Sequence, residues 1–455
     1  MKSASSNLDV KNTAGQKMIA RNAPEHKLDE TINLFSRGDL KSATRKASAL
    51  RKKYPNCFNS ANVFAACMMT ADRLPEAANA YERTISLKPN YAVGHFNIGV
   101  CSQDTNRFDK AIDSYTRALE IDPNYFDASF NRGGVLKILG NYYEALSDFC
   151  YSHTGQPGRR DYAYSYGDCL QRLGLFEDAL AVYDKFIDDH EMEHRAVGCL
   201  YASGKNNEAL QRLEALYERD SGKGNLIIPH AAMSAFLSEQ LDIPNPYPFC
   251  DPMLNFIKIQ NIADDSAFVD TDCANFLSKI TKELKALDAF TFTHTATRNG
   301  EQTKKVVLDN SSPRRTLLKG LIENAVSRYR QEFAQHADQP FIGDWPDETK
   351  TEGWFVSVRR GGFQEMHTHN TAWLSGVLYL QVIENPINSE GAIRFSVDSG
   401  RYPSIAPESK KIVHQPAAGD LVLFPSSLFH GTNPVEQDTD RCCVAFDILP
   451  APAPT

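Results

Sequence analysis

The chain has 455 residues, 42% of them hydrophobic and 23% charged, and a formal net charge of −8 from 49 Lys plus Arg against 57 Asp plus Glu. Collagen-like, wholly disordered and transmembrane classes are excluded, because the composition is ordinary and no apolar run approaches the roughly 20 residues a membrane helix needs. Nucleic acid is a poor partner for so acidic a chain, and the richest basic stretch, 45–53, falls where a helical repeat ends. The length predicts two to four domains. Residues 1–26 are polar and lack the apolar core of a secretory signal, so they read as a disordered tail on a cytoplasmic protein. The ten cysteines are scattered without a CxxC pair, which predicts reduced, mostly buried thiols.

From residue 27 the chain repeats itself. Pro55, Pro89, Pro123 and Pro157 stand 34 residues apart, and Ala43, Ala77, Ala111, Ala145 and Ala179 keep the same period. So do the aromatics Tyr81, Tyr115, Phe149 and Tyr183, while Ala65, Gly99, Gly133 and Gly167 hold a third register. Each unit reads as two antiparallel helices. The small residue permits close approach, the aromatic four residues after each alanine fills the space between neighbouring units, and proline ends the second helix. These positions resemble the tetratricopeptide repeat (TPR). About five full repeats and a degenerate one around Ala202–Leu213 are expected over 27–240, forming a solenoid whose concave face suits a peptide or protein.

The composition changes at 241–252, where Pro244, Pro246 and Pro248 predict a linker. Helices are expected at Cys273–Ala286 and Arg315–Phe333 from three- and four-residue apolar spacing. From Trp354 the period becomes two, giving short strands at Trp354–Val358, Ser375–Val382, Ala392–Val397, Asp420–Phe424 and Cys442–Ile448. The expected fold is therefore α+β: an N-terminal all-α solenoid, then a β-sandwich or jelly-roll (double-stranded β-helix) domain over 253–450 with supporting helices.

The segment Glu365-Met366-His367-Thr368-His369 places two histidines at i and i+2, on one face of a strand. Two adjacent imidazoles are a ready metal chelate. Sixty-one residues after His369, the run Phe424-Pro425-Ser426-Ser427-Leu428-Phe429 leads into His430, and eleven residues further stands Arg441. This constellation, with Gly361-Gly362-Phe363 and Trp373-Leu374-Ser375-Gly376 around it, resembles the Fe(II)- and 2-oxoglutarate-dependent oxygenases, in a bacterial branch often joined to TPR arrays.

The resemblance implies His367 and His430 as iron ligands, Arg441 as the clamp on the distal carboxylate of 2-oxoglutarate, and Fe(II) and 2-oxoglutarate as cofactors with ascorbate as an accessory reductant. It implies a hydroxylase acting on a peptide, protein or amino-acid-derived substrate recruited by the repeats. The commonest pattern has an acid where this chain has His369. Three readings stay open: His369 ligates, giving a three-histidine site; it stands back and water takes its place; or Glu365 supplies the carboxylate. Cys443 also departs from the serine that assists the arginine in many relatives. For Tyr379, core packing and a hydroxyl contact to 2-oxoglutarate compete. Trp373 reads as packing, Arg394 as a solvated strand residue or an inward cation, and His414 as structural. The alternatives in other classes are a TPR scaffold with an inactive jelly roll and a cupin-type metal dioxygenase; homodimerisation is left open and no membrane partner is expected.

Overall fold

The computed structural model describes residues 22–220, 228–269, 272–287, 290–291, 297–405 and 409–451. The tail expected over 1–26 lies outside the described residues up to position 21. The chain forms two compact units, 1–169 and 170–455.

The first unit is built of helical hairpins: α1 (Glu25–Ser36) with α2 (Leu40–Lys53), α3 (Phe58–Thr70) with α4 (Leu74–Leu87), α5 (Ala92–Asp104) with α6 (Phe108–Ile121), and α7 (Phe126–Ile138) with α8 (Tyr142–Gly155). A further helix, α9 (Arg160–Arg172), follows. The second helix of each hairpin stops one residue short of Pro55, Pro89 or Pro123, or, for α8, at Gly155 just before Pro157, because proline has no N–H to continue the ladder. Ala43, Ala77, Ala111 and Ala145 are fully buried. The aromatic fills the space between neighbouring hairpins, as expected: Tyr115 packs in one buried cluster with Ala128 and Val135 of α7, and Tyr81 with Ile98 and Cys101 of α5. It also packs inside its own unit. Tyr115 on α6 is seated over Gly99 on α5, within its own hairpin, so closely that a Cβ on Gly99 would lie 2.5 Å from the Tyr115 ring. Phe149 covers Gly133 in the same way.

This contact yields a paired prediction. Gly99→Ala gains up to about 1 kcal/mol of helix propensity but meets a buried, hydrogen-bonded ring, and overpacking costs about 1–3 kcal/mol, so the variant melts below wild type. Gly134, one residue after Gly133, lacks that clash: a methyl group there would have nothing within 4 Å, so Gly134→Ala melts above wild type. Thermal melts followed by circular dichroism check both signs.

The second unit opens with four helices, α10 (Phe176–Tyr183), α11 (His190–Ala202), α12 (Asn206–Asp220) and α13 (Ile228–Leu241). The proline-rich segment packs onto α13, where Ser234 donates to Asn245 and the Tyr247 N–H donates to Ser234 Oγ at 2.8 Å. Then come β1 (Lys258–Asn261), α14 (Cys273–Lys285), β2 (Phe290–Thr291), β3 (Thr297–Thr303), α15 (Pro313–Glu332) and α16 (Pro340–Gly343). The strands β4 (Thr349–Gln364), β5 (Leu374–Gln381), β6 (Ile393–Ser396), β7 (Lys411–His414), β8 (Asp420–Pro425), β9 (Phe429–Thr432) and β10 (Arg441–Pro450) complete the chain.

The strands form a seven-stranded sheet of order β1-β8-β5-β10-β4-β3-β2 and a three-stranded sheet of order β7-β6-β9, antiparallel throughout, in keeping with a jelly roll. β5 and β8 are buried along almost their whole length, as strands covered on both faces must be. The last residues of α9, which belong to the second unit, and the helices α11 and α13 are tied to the sheet region through the segment around Tyr402. Its hydroxyl accepts from Gln171 Nε2 at 2.9 Å, and its ring lies where a Cβ on Gly198 would stand 2.2 Å away. Tyr201 Oη donates to Pro403 O, and Gln240 Oε1 accepts from Ser404 Oγ and the Ile405 N–H. No described helix is long and apolar enough to cross a membrane.

Candidate metal centre

β4 ends at Gln364, so the His367–His369 pair stands beyond the strand rather than on it. What replaces the strand is a two-residue bridge. His367 and His430 exchange both backbone hydrogen bonds at 3.0 Å, so the main chain itself brings their imidazoles together. His369 is fixed in turn by its N–H donating to Ser426 O at 3.0 Å. The ring centroids are 4.3 Å apart for His367–His430, 5.0 Å for His369–His430 and 5.1 Å for His367–His369. One nitrogen from each of the three rings lies within 4.8 Å of the others.

Each ring is held by its other edge. His367 Nδ1 faces Glu365 O at 2.7 Å, His430 Nδ1 faces Leu428 O at 3.1 Å, and His369 Nδ1 faces Asp447 Oδ1 at 2.6 Å. A carbonyl or carboxylate oxygen only accepts, so Nδ1 carries a proton in all three, and in the neutral ring this leaves the lone pair on Nε2, the form in which imidazole ligates a metal. Burial, reinforced by the two neighbouring imidazoles, holds the His430 pKa well below its ordinary value, so this ring is neutral without metal. Asp447 is fixed by Ser375, whose hydroxyl donates to Oδ1 at 2.8 Å and lies 2.8 Å from Ser426 Oγ. The sequence reading missed Asp447, Ser375 and Ser426 as supporting residues. The signal was available in Asp447, the one acid within the apolar run Cys442–Ile448.

Among the three candidates for the third position, Glu365 is committed elsewhere: its carboxylate pairs with Arg298 at 2.8 Å and Arg172 at 3.6 Å. His369 carries a buried carboxylate on its far edge instead. Asp447→Asn, which keeps the shape and removes the charge, is expected to weaken metal binding by about 10–100-fold while leaving the thermal melt of the metal-free protein nearly unchanged. Calorimetric titration with Fe(II) under nitrogen measures it.

The histidines open onto a cavity walled by Gln302, Trp354, Gln364, Gly376, Tyr379, Ile393 and Phe424, among others. Gly376 makes room for the Phe446 ring on the other face of the sheet, where a Cβ would meet it at 2.2 Å. Tyr379 is fully buried and, among the described residues, its hydroxyl has no hydrogen-bond partner. Arg441, 1% exposed, donates through Nη1 to Gly391 O at 3.0 Å and points Nη2 at Cys443 Sγ, while its Nε has no partner among the described residues. Its guanidinium carbon lies 5.5 Å from the centre of the Tyr379 ring. Unmatched buried donors cost about 1–3 kcal/mol each. A buried guanidinium and a buried phenol side by side, each with a donor to spare, fit an anion that brings its own oxygens, and three lone-pair imidazoles fit a divalent transition metal.

The remaining candidates divide. Trp373 is fully buried, donating Nε1–H to Phe341 O, which is packing. His414 is bound to Asp420 at 2.9 Å, a structural pairing. Arg394 alternates with the cavity-lining Ile393 on β6 and so faces away from the cavity.

Comparison with known proteins agrees with this architecture. Residues 352–447 match the family model described as "Putative 2OG-Fe(II) oxygenase", and residues 92–125 and 114–147 match two tetratricopeptide repeat models. Among curated proteins none matches the chain. Solved structures similar to the repeats include MamA (19% identity, 40% of this chain and 93% of that one, TM-score 0.34). A tetratricopeptide repeat protein from Parabacteroides merdae ATCC 43184 is 18% identical over 46% of this chain and 85% of that one, TM-score 0.37. YrrB, described as a TPR protein with an unusual peptide-binding site, is 17% identical over 37% and 88%, TM-score 0.34.

Proposed function

We propose that the chain is an Fe(II)- and 2-oxoglutarate-dependent oxygenase that hydroxylates a peptide or protein recruited by its repeat array. The observation that carries this reading is the convergence of three imidazoles, each pinned through Nδ1, beside a buried Arg441 and Tyr379 whose donors are unmatched. In this reading His367, His369 and His430 hold iron through Nε2, and Arg441 and Tyr379 hold the 2-oxoglutarate. Bound iron with this cosubstrate supplies the oxidising power, coupling the reduction of dioxygen to decarboxylation to succinate and insertion of one oxygen atom into the substrate.

The chain's own contribution is orientation and a dry pocket. Asp447 and Ser375 fix the angle of His369, and the backbone bridge fixes His367 against His430. Trp354, whose ring lies 5.7 Å from that of His369, together with Ile393 and Phe424 keeps water from the cavity walls. Tandem repeats on the same chain support a peptide or protein as the substrate class. The experiment is succinate release from 2-oxoglutarate by protein purified without oxygen, then given Fe(II), ascorbate and air. Succinate above the metal-free control supports the proposal. Iron bound without succinate, even after peptide libraries are added, favours the cupin-type reading, and neither iron binding nor succinate favours the scaffold.

A further inference from the structure

Away from the cavity, three helices of the second unit bring a second set of metal-binding side chains together. His190 and Glu193 stand at i and i+3 on the first turn of α11, Asp220 ends α12, and His230 lies on the first turn of α13. His190 Nδ1 and His230 Nε2 are 3.3 Å apart, and Asp220 Oδ2 is 3.4 Å from the first and 3.6 Å from the second. A tetrahedral ion with bonds of about 2.0–2.2 Å spaces its ligand atoms about 3.3–3.6 Å apart, so these three atoms form one face of such a shell. The ligand atoms of His190, Glu193 and His230 also lie within 4.8 Å of one another, which offers the Glu193 carboxylate as the fourth donor.

A cation already sits among these groups. Arg219 Nη2 lies 3.0 Å from His190 Nδ1, 2.8 Å from Glu193 Oε2 and 3.0 Å from Asp220 Oδ2. It is a poor match in charge. The Glu193 and Asp220 carboxylates are 6% and 1% exposed, and among the described residues Arg219 is the one arginine or lysine paired with either. A divalent ion would balance both charges where the guanidinium balances one. The Arg219 side chain is 35% exposed and holds both carboxylates through paired hydrogen bonds, so metal entry would require it to swing out toward solvent, whereas His230 is fully buried and among the described residues its Nδ1 has no partner.

We propose that His190, His230, Asp220 and Glu193 form a second site for a divalent transition metal of the zinc, cobalt or nickel kind, with Arg219 as a displaceable occupant that holds the shell together when metal is scarce. Two imidazoles with two carboxylates select such ions over calcium or magnesium.

The test uses the full chain carrying His367→Ala and His430→Ala, so that the main centre contributes nothing and its own reading is not at stake. Metal-free protein is titrated with Co(II) by calorimetry and visible absorption. One equivalent is expected, with the intense visible bands of tetrahedral cobalt. His190→Gln, at a position 23% exposed, should weaken binding at least tenfold. Arg219→Gln should tighten it about tenfold or more and make the melting temperature strongly metal-dependent, the reverse of what loss of a merely structural arginine does. No binding in the parent chain, binding indifferent to His190→Gln, or binding unchanged or weaker in Arg219→Gln each overturns the proposal. Should His190→Gln fail to fold by circular dichroism, the Arg219→Gln comparison decides alone.

Discussion

His430→Ala abolishes Fe(II) binding and lowers succinate formation to below about a thousandth of wild type, the scale expected when an essential metal is lost. Its side chain is at the centre of the cluster, with both other rings within 5.0 Å of its own. Its contribution to the fold is largely made by the main chain, because the bridge to His367 consists of two backbone hydrogen bonds that alanine retains. The melt should therefore move little beside the loss of metal. His367→Ala behaves likewise. His369→Ala is the informative comparison: loss of iron assigns the residue as a ligand, whereas retained iron with altered turnover places water in the third position. Glu365→Gln leaves iron affinity unchanged, since that carboxylate belongs to Arg298 and Arg172. Wild-type iron affinity in His430→Ala would sink the proposed centre.

Arg441→Met raises the KM for 2-oxoglutarate about a hundredfold or more while Fe(II) binding stays within twofold. The magnitude follows from truncating one member of a buried charge pair, which costs about 2–5 kcal/mol. Methionine fills the volume beside Tyr379 and removes only the charge and the donors. Tyr379→Phe, which deletes one neutral hydroxyl contact worth about 0.5–1.5 kcal/mol, raises KM only about three- to tenfold. Steady-state succinate assays over a range of 2-oxoglutarate separate the two, and an unchanged KM in Arg441→Met would remove Arg441 from the cosubstrate site.

The repeat array was legible because it writes one structural solution several times at a period of 34 residues, and coincident registers of proline, alanine and aromatic residues cannot be mistaken for a single amphipathic helix. The strands β4, β5, β8 and β10 were legible as apolar runs rich in branched and aromatic residues. β1, β7 and β9 have four residues each, too few for a period of two to show. The histidines could be singled out because His367, His369 and His430 lie in short, distinctive surroundings. Their supporting network was hidden, since the contact between His369 and Asp447 joins positions 78 residues apart. The attachment of the helices that precede the proline-rich segment was more hidden still: Gln171, at the end of α9, meets Tyr402 across 231 residues, through one hydrogen bond that no local pattern announces.

That last attachment bears on how such a chain can be cut and recombined. A break in the proline-rich segment would look natural, but it would strip Tyr402, Pro403, Ser404 and Ile405 of their hydrogen-bond partners on Gln171, Tyr201 and Gln240 and uncover the face packed against Gly198. The piece that carries the candidate metal centre is thus larger than the sheet that bears the histidines. Any exchange of repeats, by recombination in nature or by grafting at the bench, has to leave the end of α9 with Gln171 and the helices α10–α13 behind with the sheet and swap only the hairpins α1–α8 before them.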